Sequence, residues 1–417
     1  MFHWLRRKTR YLNDTFLALD IGTEFIKAVI IKIEPPNGQI LGIGKIRQNL
    51  DEMQNGMITD IAGVIRNCKK AIAIAEEKAD IKPHQLILGI AGELIKGATR
   101  TIHYRRPQPQ AKIHLEELKN IIHKVQWKAF EQIRSEIAHE TGQNEIDIKL
   151  INASIMDIKI DGYKIANPLG FQGKEVTINI FNAFSPLTHY GVLQSITAEL
   201  NIDLLAMTAE PYALTSALTQ KSKEFFNVLI MDIGGGTTDI ALIQDGILEG
   251  TKMFTLGGRS FTKRLANSLN VSFLEAEEIK LAYAENRLEK QSHKIVAKSL
   301  NQDCDMWLTG VSLTLSEFLN ETPLPPKILL CGGGCLLPEI KTMLTEGTWW
   351  KNLSFIHKPV IQFAEPQLIT TLTDKNSYLK GAEYVTPASL AYLGMELKNE
   401  EKILGQILRK VVRLMQV

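Results

Sequence analysis

No run of eighteen apolar residues occurs in the 417-residue chain, so no membrane-spanning helix is expected. Cysteine is scarce. The four present, Cys68, Cys304, Cys331 and Cys335, have spacings that fit neither a zinc site nor a disulfide framework. Cys331 and Cys335 flank three glycines, which reads as close backbone packing rather than ligation, and a reducing compartment is the expected setting. Neither sign of charge is in surplus: 48 Lys and Arg stand against 46 Asp and Glu. Composition therefore exerts no general pull on nucleic acid or anionic lipid. The basic residues are scattered, so no nucleic-acid partner is expected. His139-Glu140 opens like a metalloprotease motif, but Gln143 stands where the second histidine is needed. Met1 to Leu12 mixes Phe2, Trp4 and Leu5 with Arg6, Arg7, Lys8 and Arg10. Its apolar part is too short for a signal peptide, and it reads as a frayed tail or as a basic contact site.

What is present is an internal duplication. Leu17-Ala18-Leu19-Asp20-Ile21-Gly22 and Leu229-Ile230-Met231-Asp232-Ile233-Gly234 are each three aliphatic residues, then Asp-Ile-Gly, then a second β run. Each unit is a buried strand that delivers an aspartate to a tight turn. Glycine and small residues there remove Cβ bulk, so backbone N–H groups can approach phosphate oxygens. Gly22 and Thr23 serve this in the first copy, and Gly234, Gly235, Gly236, Thr237 and Thr238 in the stronger second copy. Asp20 and Asp232 suit a divalent cation that bridges phosphates, reached through water. No Gly-Lys-Ser/Thr follows, so this is not a Walker loop, and a second strand rather than a helix follows, so it is not a dinucleotide fingerprint. A third element, Leu329-Leu330-Cys331-Gly332-Gly333-Gly334, is a strand that enters a glycine turn, where a flat adenosine ring could lie against backbone. Thr23-Glu24-Phe25-Ile26-Lys27 is bulkier than the second turn and is expected to contact phosphate less well.

At 417 residues the chain should hold more than one core. Ile61 to Ala79, Leu115 to His139, Leu187 to Leu200, Arg259 to Leu269, Phe273 to Leu288 and Pro387 to Leu397 read as helices, and Glu210 to Leu218 begins another. Between about Gln85 and Ser185 the texture changes: a long amphipathic helix and two strands, Ile148 to Ile160 and Glu175 to Phe184, form a small α+β block.

In that order, the two hairpins and the glycine triplet resemble the actin/Hsp70/sugar-kinase superfamily. Within it the chain is similar to the FtsA family of bacterial cell-division proteins. Asp161-Gly-Tyr-Lys-Ile-Ala-Asn167-Pro168-Leu169-Gly170 resembles the hallmark of that family's inserted subdomain. Gly257-Gly258-Arg259 through Glu277 and Lys280 to Tyr283 resembles its stretch after the second hairpin. The resemblance spans about residues 14 to 417. It implies an α/β, duplicated actin-like (ribonuclease H-like) nucleotide-binding fold with an inserted SHS2-type subdomain. Subdomain 1A would be 14–84 with 186–224, the insert 85–185, subdomains 2A and 2B 225–397, and a membrane-targeting helix 400–417. It implies ATP and Mg as ligands. Glu210 would help place metal and water, and Glu277 and Lys280 would bracket ribose and adenine. A helix-start carboxylate and a surface ion pair are the other readings of these groups. The implied partners are an FtsZ-type tubulin homologue, further copies of the chain in a filament, other divisome membrane proteins and the anionic inner membrane, at the cytoplasmic face of the division site. Nothing resembles an optimised general base, so weak ATP hydrolysis at most is implied. A PilM-type pilus-assembly ATPase and a small-molecule kinase are the rivals. The terminal helix and Asn167-Pro168-Leu169-Gly170 weigh against the first, and the lack of a sugar-kinase signature against the second.

In the terminal segment Ile403, Leu404, Ile407, Leu408, Val411, Leu414 and Met415 gather on one side, opposite Lys402, Arg409 and Arg413. Such a helix suits a membrane interface. The alternatives are docking on the protein's own core, or a coiled-coil arm.

Overall fold

The computed structural model describes residues 14–92, 95–142, 144, 147–220, 226–318, 323–399 and 403–415. Met1 to Leu12, Lys402 and Gln143 lie outside them.

The first half is built on β1 (Thr15–Ile21), β2 (Phe25–Glu34), β3 (Asn37–Arg47), a small hairpin of β4 (Met53–Gln54) and β5 (Met57–Ile58), α1 (Ile61–Ala79) and β6 (Gln85–Ile90). The insert follows: β7 (Lys96–Arg105), α2 (Leu115–Thr141), β8 (Ile148–Ile160), β9 (Tyr163–Lys164) and β10 (Glu175–Pro186). The chain returns through α3 (Leu187–Leu200), β11 (Asp203–Ala209) and α4 (Glu210–Leu218). The second half has β12 (Val228–Ile233), β13 (Thr238–Gln244), β14 (Ile247–Phe254), α5 (Gly258–Leu269), α6 (Phe273–Ala284) and α7 (Lys290–Ser316). It continues with β15 (Lys327–Cys331), α8 (Pro338–Glu346), β16 (Val360–Phe363), β17 (Leu372–Thr373), α9 (Val385–Asn399) and α10 (Ile403–Met415).

Both predicted strand–turn–strand units form. β1 and β2 pair antiparallel, with Asp20 opposite Lys27; β12 and β13 pair likewise, with Asp232 opposite Asp239. All seven residues of β1 are buried, as a central strand covered on both faces requires. In each half a parallel strand joins the hairpin, β6 beside β1 and β15 beside β12. Repetition of this unit makes the chain a duplicated, actin-like α/β fold.

Three hydrophobic cores result. The first lies around the β11-β6-β1-β2-β3-β17 sheet, with α1, α4 and α9 packed on it. The second surrounds the fully buried Trp307 beneath α5, α6 and α7. The third belongs to the insert, whose strands extend the second half's sheet where Gly250 of β14 meets Ala98 of β7.

Two expected boundaries move. Gln85–Ile90 belongs to the first sheet, not to the insert, because β6 lies between β1 and β11. α9, expected in the second half, closes the first core: an added Cβ at Gly394 would lie 2.2 Å from the Phe16 ring, so the missing side chain lets the helix settle on β1.

Of the readings of the terminal helix, docking on the protein's own core is the one its packing follows. α10 lies on α2 and β8, and Ile407, Leu408, Val411 and Val412 are buried in the insert's core. Leu404 and Met415 are partly buried against the same core, whereas Leu414 is 74% exposed. Ile403 opens the helix. The reason is the hydrophobic effect: α2 and β8 leave an apolar surface that this face covers.

Candidate functional site

A cavity of about 580 Å³ lies between the halves, and both hairpin turns and the Gly332-Gly333-Gly334 turn line it. In the first turn, Gly22 N–H donates to Phe25 O at 3.2 Å, and Thr23 Oγ1 accepts from Gly56 N–H at 3.2 Å. In the second, Gly234 N–H donates to Thr237 O at 2.9 Å. Asp20, Gly22, Thr23, Asp232, Gly234, Gly235 and Thr237 all face the cavity.

Two predicted residues do not. Thr238 Oγ1 donates to Leu256 O at 2.7 Å and accepts from Trp307 Nε1 at 2.9 Å, so its hydroxyl is committed inside the second core. Gly236 is absent from the lining. A Cβ there would meet Asn55 Cα and Thr23, each at 3.1 Å, so this glycine lets the two turns touch.

The glycine triplet divides in the same way. Gly332 has φ +83°, and a Cβ would lie 2.3 Å from Asp232 Oδ1; at Gly334 one would lie 2.6 Å from Ile233 Cγ2. Only Gly333 has open space at that position. Glu277 and Lys280, one turn apart on α6, also line the cavity, but their charged ends meet each other at 2.8 Å. Lys280 Nζ donates further to Gly258 O at 2.9 Å, and the Thr262 hydroxyl donates to Glu277.

The floor of the cavity is a buried charge cluster. Asp20, Glu210 and Asp232 converge there. Sequence reasoning missed Lys27 and Asp239, although one signal exists for both. Each lies seven residues after its hairpin aspartate, which is the offset that puts it directly across the strand pair. Lys27 Nζ is 3.1 Å from Asp20 Oδ2. Burial works against the Lys27 charge, but Asp20, and behind it Asp232 and Glu210, outweigh burial and leave its pKa raised. Burial, and then Asp20, Asp232 and Asp239, hold the Glu210 carboxyl well above its ordinary value. Burial also raises Asp232, against the Thr386 hydroxyl that donates to its Oδ2 at 2.6 Å. Asp239 is pushed up to about 7 by burial and by Asp232, with the Thr237 hydroxyl at 3.0 Å pulling the other way. Four carboxylates thus gather near Lys27, with Lys96 a further cation toward Asp239, and the set stays short of positive charge. Among the described residues no three such side chains close on a point as direct ligands of a metal would. All four cysteines are buried and free.

The chain resembles known proteins in sequence and in fold. Residues 229–389 match the family model described as "Cell division protein FtsA". The chain is 23% identical over 379 residues to the cell division protein FtsA of Bacillus subtilis, covering 86% of this chain and 82% of the relative. To that of Pseudomonas aeruginosa it is 22% identical over 409 residues, covering 92% and 90%. Among solved structures, one described as a PilM-PilN type IV pilus biogenesis complex superposes with a TM-score of 0.63 at 17% identity, covering 91% of this chain and 98% of that one. The ethanolamine utilization protein EutJ from Carboxydothermus hydrogenoformans follows with a TM-score of 0.50 at 15% identity and 93% coverage of both chains. The structural likeness carries the fold, and in sequence the chain is similar to the FtsA cell-division proteins over most of its length.

Proposed function

We propose that the chain is an ATP-binding, actin-like cell-division protein whose nucleotide holds the two halves together and favours filament contacts between copies. One observation carries this reading: both duplicated turns and the glycine triplet line a single cavity between the halves, above a buried cluster of four carboxylates and one lysine. Gly22 and Gly234 spend their own N–H groups closing the turns, so the backbone N–H groups of Thr23 and Gly235, with Thr237 and Lys27, would take the phosphates. The open face at Gly333, opposite α6 with Glu277 and Lys280, would take adenosine. The residues fit a divalent cation, because the carboxylates raise one another's pKa and an added positive charge relieves that cost. Asp20 and Asp232 would hold Mg through water, since among the described residues no three carboxylates close on one point. Glu210, at the start of α4, would orient a water near the same place. Bound there, Mg would neutralise the phosphates.

The role in division adds a tie to the cytoplasmic face of the membrane through α10 and a surface that receives an FtsZ-type tubulin homologue and other divisome proteins. With α10 docked on the insert, the membrane tie requires the helix to leave α2 and β8. The same docking removes one sequence argument against the PilM-type reading, which stands second because the curated relatives are FtsA proteins. Electron microscopy on an anionic lipid monolayer tests the first reading. Filaments with ATP and Mg, lost on omission of ATP, are expected. Bare monolayers together with no ATP retained in equilibrium dialysis would sink it.

A further inference from the structure

The Glu24 side chain, which makes the first turn bulky, does not point at the phosphate-binding backbone. Its two oxygens are taken by arginines from opposite walls of the cleft. Arg259 of α5 donates from Nε to Oε2 at 2.6 Å, and Arg47 of β3 donates from Nε to Oε1 at 2.6 Å. Arg259 also donates from Nη1 to Met53 O at 2.7 Å and from Nη2 to Asn49 O at 3.5 Å, so one guanidinium from the second half holds three places on the first. Its backbone N–H donates to Gly235 O at 2.7 Å, in the second phosphate turn. Arg259 therefore ties the two turns together: main chain to the second, side chain to the first. The fit is tight, since a Cβ on Gly235 would lie 2.8 Å from Glu24 Cβ. The chain of charges then returns to α5. Arg47 approaches Glu277 at 4.0 Å, Glu277 meets Lys280, and Lys280 donates to Gly258 O beside Arg259. Glu24 and Arg259 side chains are each only 13% exposed, so screening by solvent is limited.

We propose that Glu24 and Arg259 are positioning residues, which set the spacing of the two phosphate turns before any nucleotide arrives. The proposal rests on the nucleotide reading of the cavity but concerns the ligand-free chain. A site pre-spaced by its own ion pair pays less ordering cost on binding and releases its ligand more slowly. Glu24 thus acts through the turns rather than by touching the ligand.

Spin labels at Lys82→Cys and Arg287→Cys, one in each half, report the spacing directly. Both native side chains are well exposed, and the four native cysteines are buried. Without nucleotide the labelled parent should show one narrow distance. Glu24→Gln and Arg259→Gln should each lengthen and broaden it, the double variant no further than either single, and Arg259→Lys by less. Release of labelled ATP should speed up about tenfold in each single variant, equivalent to about 1.4 kcal/mol, and saturating ATP should restore the narrow distance. Ligand-free distances unchanged by Glu24→Gln, Arg259→Gln and Arg259→Lys would overturn the proposal. A parent that binds no ATP would remove the nucleotide reading, and the ligand-free distances would still decide whether the pair sets the spacing.

Discussion

Each hairpin sets a second charged side chain across from its aspartate, seven residues on, and the two copies differ in sign: Lys27 in the first, Asp239 in the second. The duplication is thus chemically asymmetric, with a cation on one wall of the cavity and an extra carboxylate on the other. Lys27→Met removes the lysine that pairs with Asp20 inside this cluster. ATP affinity should fall at least tenfold by titration calorimetry, as expected for loss of a charge-assisted hydrogen bond of about 1.5–3 kcal/mol. Asp239→Asn tests the other wall without ligand. The folded chain holds the Asp239 proton up to about pH 7, whereas an unfolded aspartate releases it near pH 4. Stability from this group is therefore present at low pH and lost as pH rises through about 7. Ligand-free Asp239→Asn should melt a few degrees above the parent at pH 8, and the gap should shrink toward pH 5 in scanning calorimetry. A gap that does not change with pH would refute the shift.

At the scale of elements, the glycine triplet separates binding from folding. Gly332→Ala forces a Cβ to 2.3 Å from Asp232 Oδ1 at a positive φ, so it should lower the melting temperature as well as ATP affinity. Gly333→Ala meets no atom and should keep stability while weakening nucleotide binding, because the methyl projects where adenosine would lie. Equal stability loss in both would show that the triplet is packing alone. The elements that were legible in the sequence are those with strong local periodicity. Helix α1 runs over Ile61–Ala79 as read, and both hairpins fall where their Asp-Ile-Gly turns put them. Helix α7 is not found, although its buried Val296, Leu300, Cys304, Trp307 and Val311 follow helical spacing. Its N-cap Glu289 makes no side-chain cap bond, and polar residues crowd the stripe, so no start signal stands out. The cavity's backbone turns were legible because the motif is local. The Glu24–Arg259 pair was not, because its members are 235 residues apart and nothing in either segment names the other.

For the whole molecule, the governing question is what covers α10. Ile407, Leu408, Val411 and Val412 are already buried on the insert, and burial of each such side chain is worth about 1.5–3 kcal/mol relative to water. Lipid offers the same kind of gain, so a move from insert to membrane is nearly balanced in apolar terms. On the proposed membrane role, attraction of the helix's basic groups to anionic headgroups would tip it. Leu414 separates the two states, because it is 74% exposed when the helix is docked yet lies on the side expected to enter lipid. Leu414→Asp should therefore leave the melting temperature of the full chain unchanged and cut co-sedimentation with anionic vesicles severalfold. Val411→Asp should lower both, since it puts a carboxylate into the insert's core as well as into the lipid face. Vesicle binding is expected to be weak for single chains and to rise with ATP, because a filament presents many helices at once. If Leu414→Asp binds vesicles as well as the parent does, α10 is a structural strut of the insert, and any membrane attachment lies elsewhere in the chain.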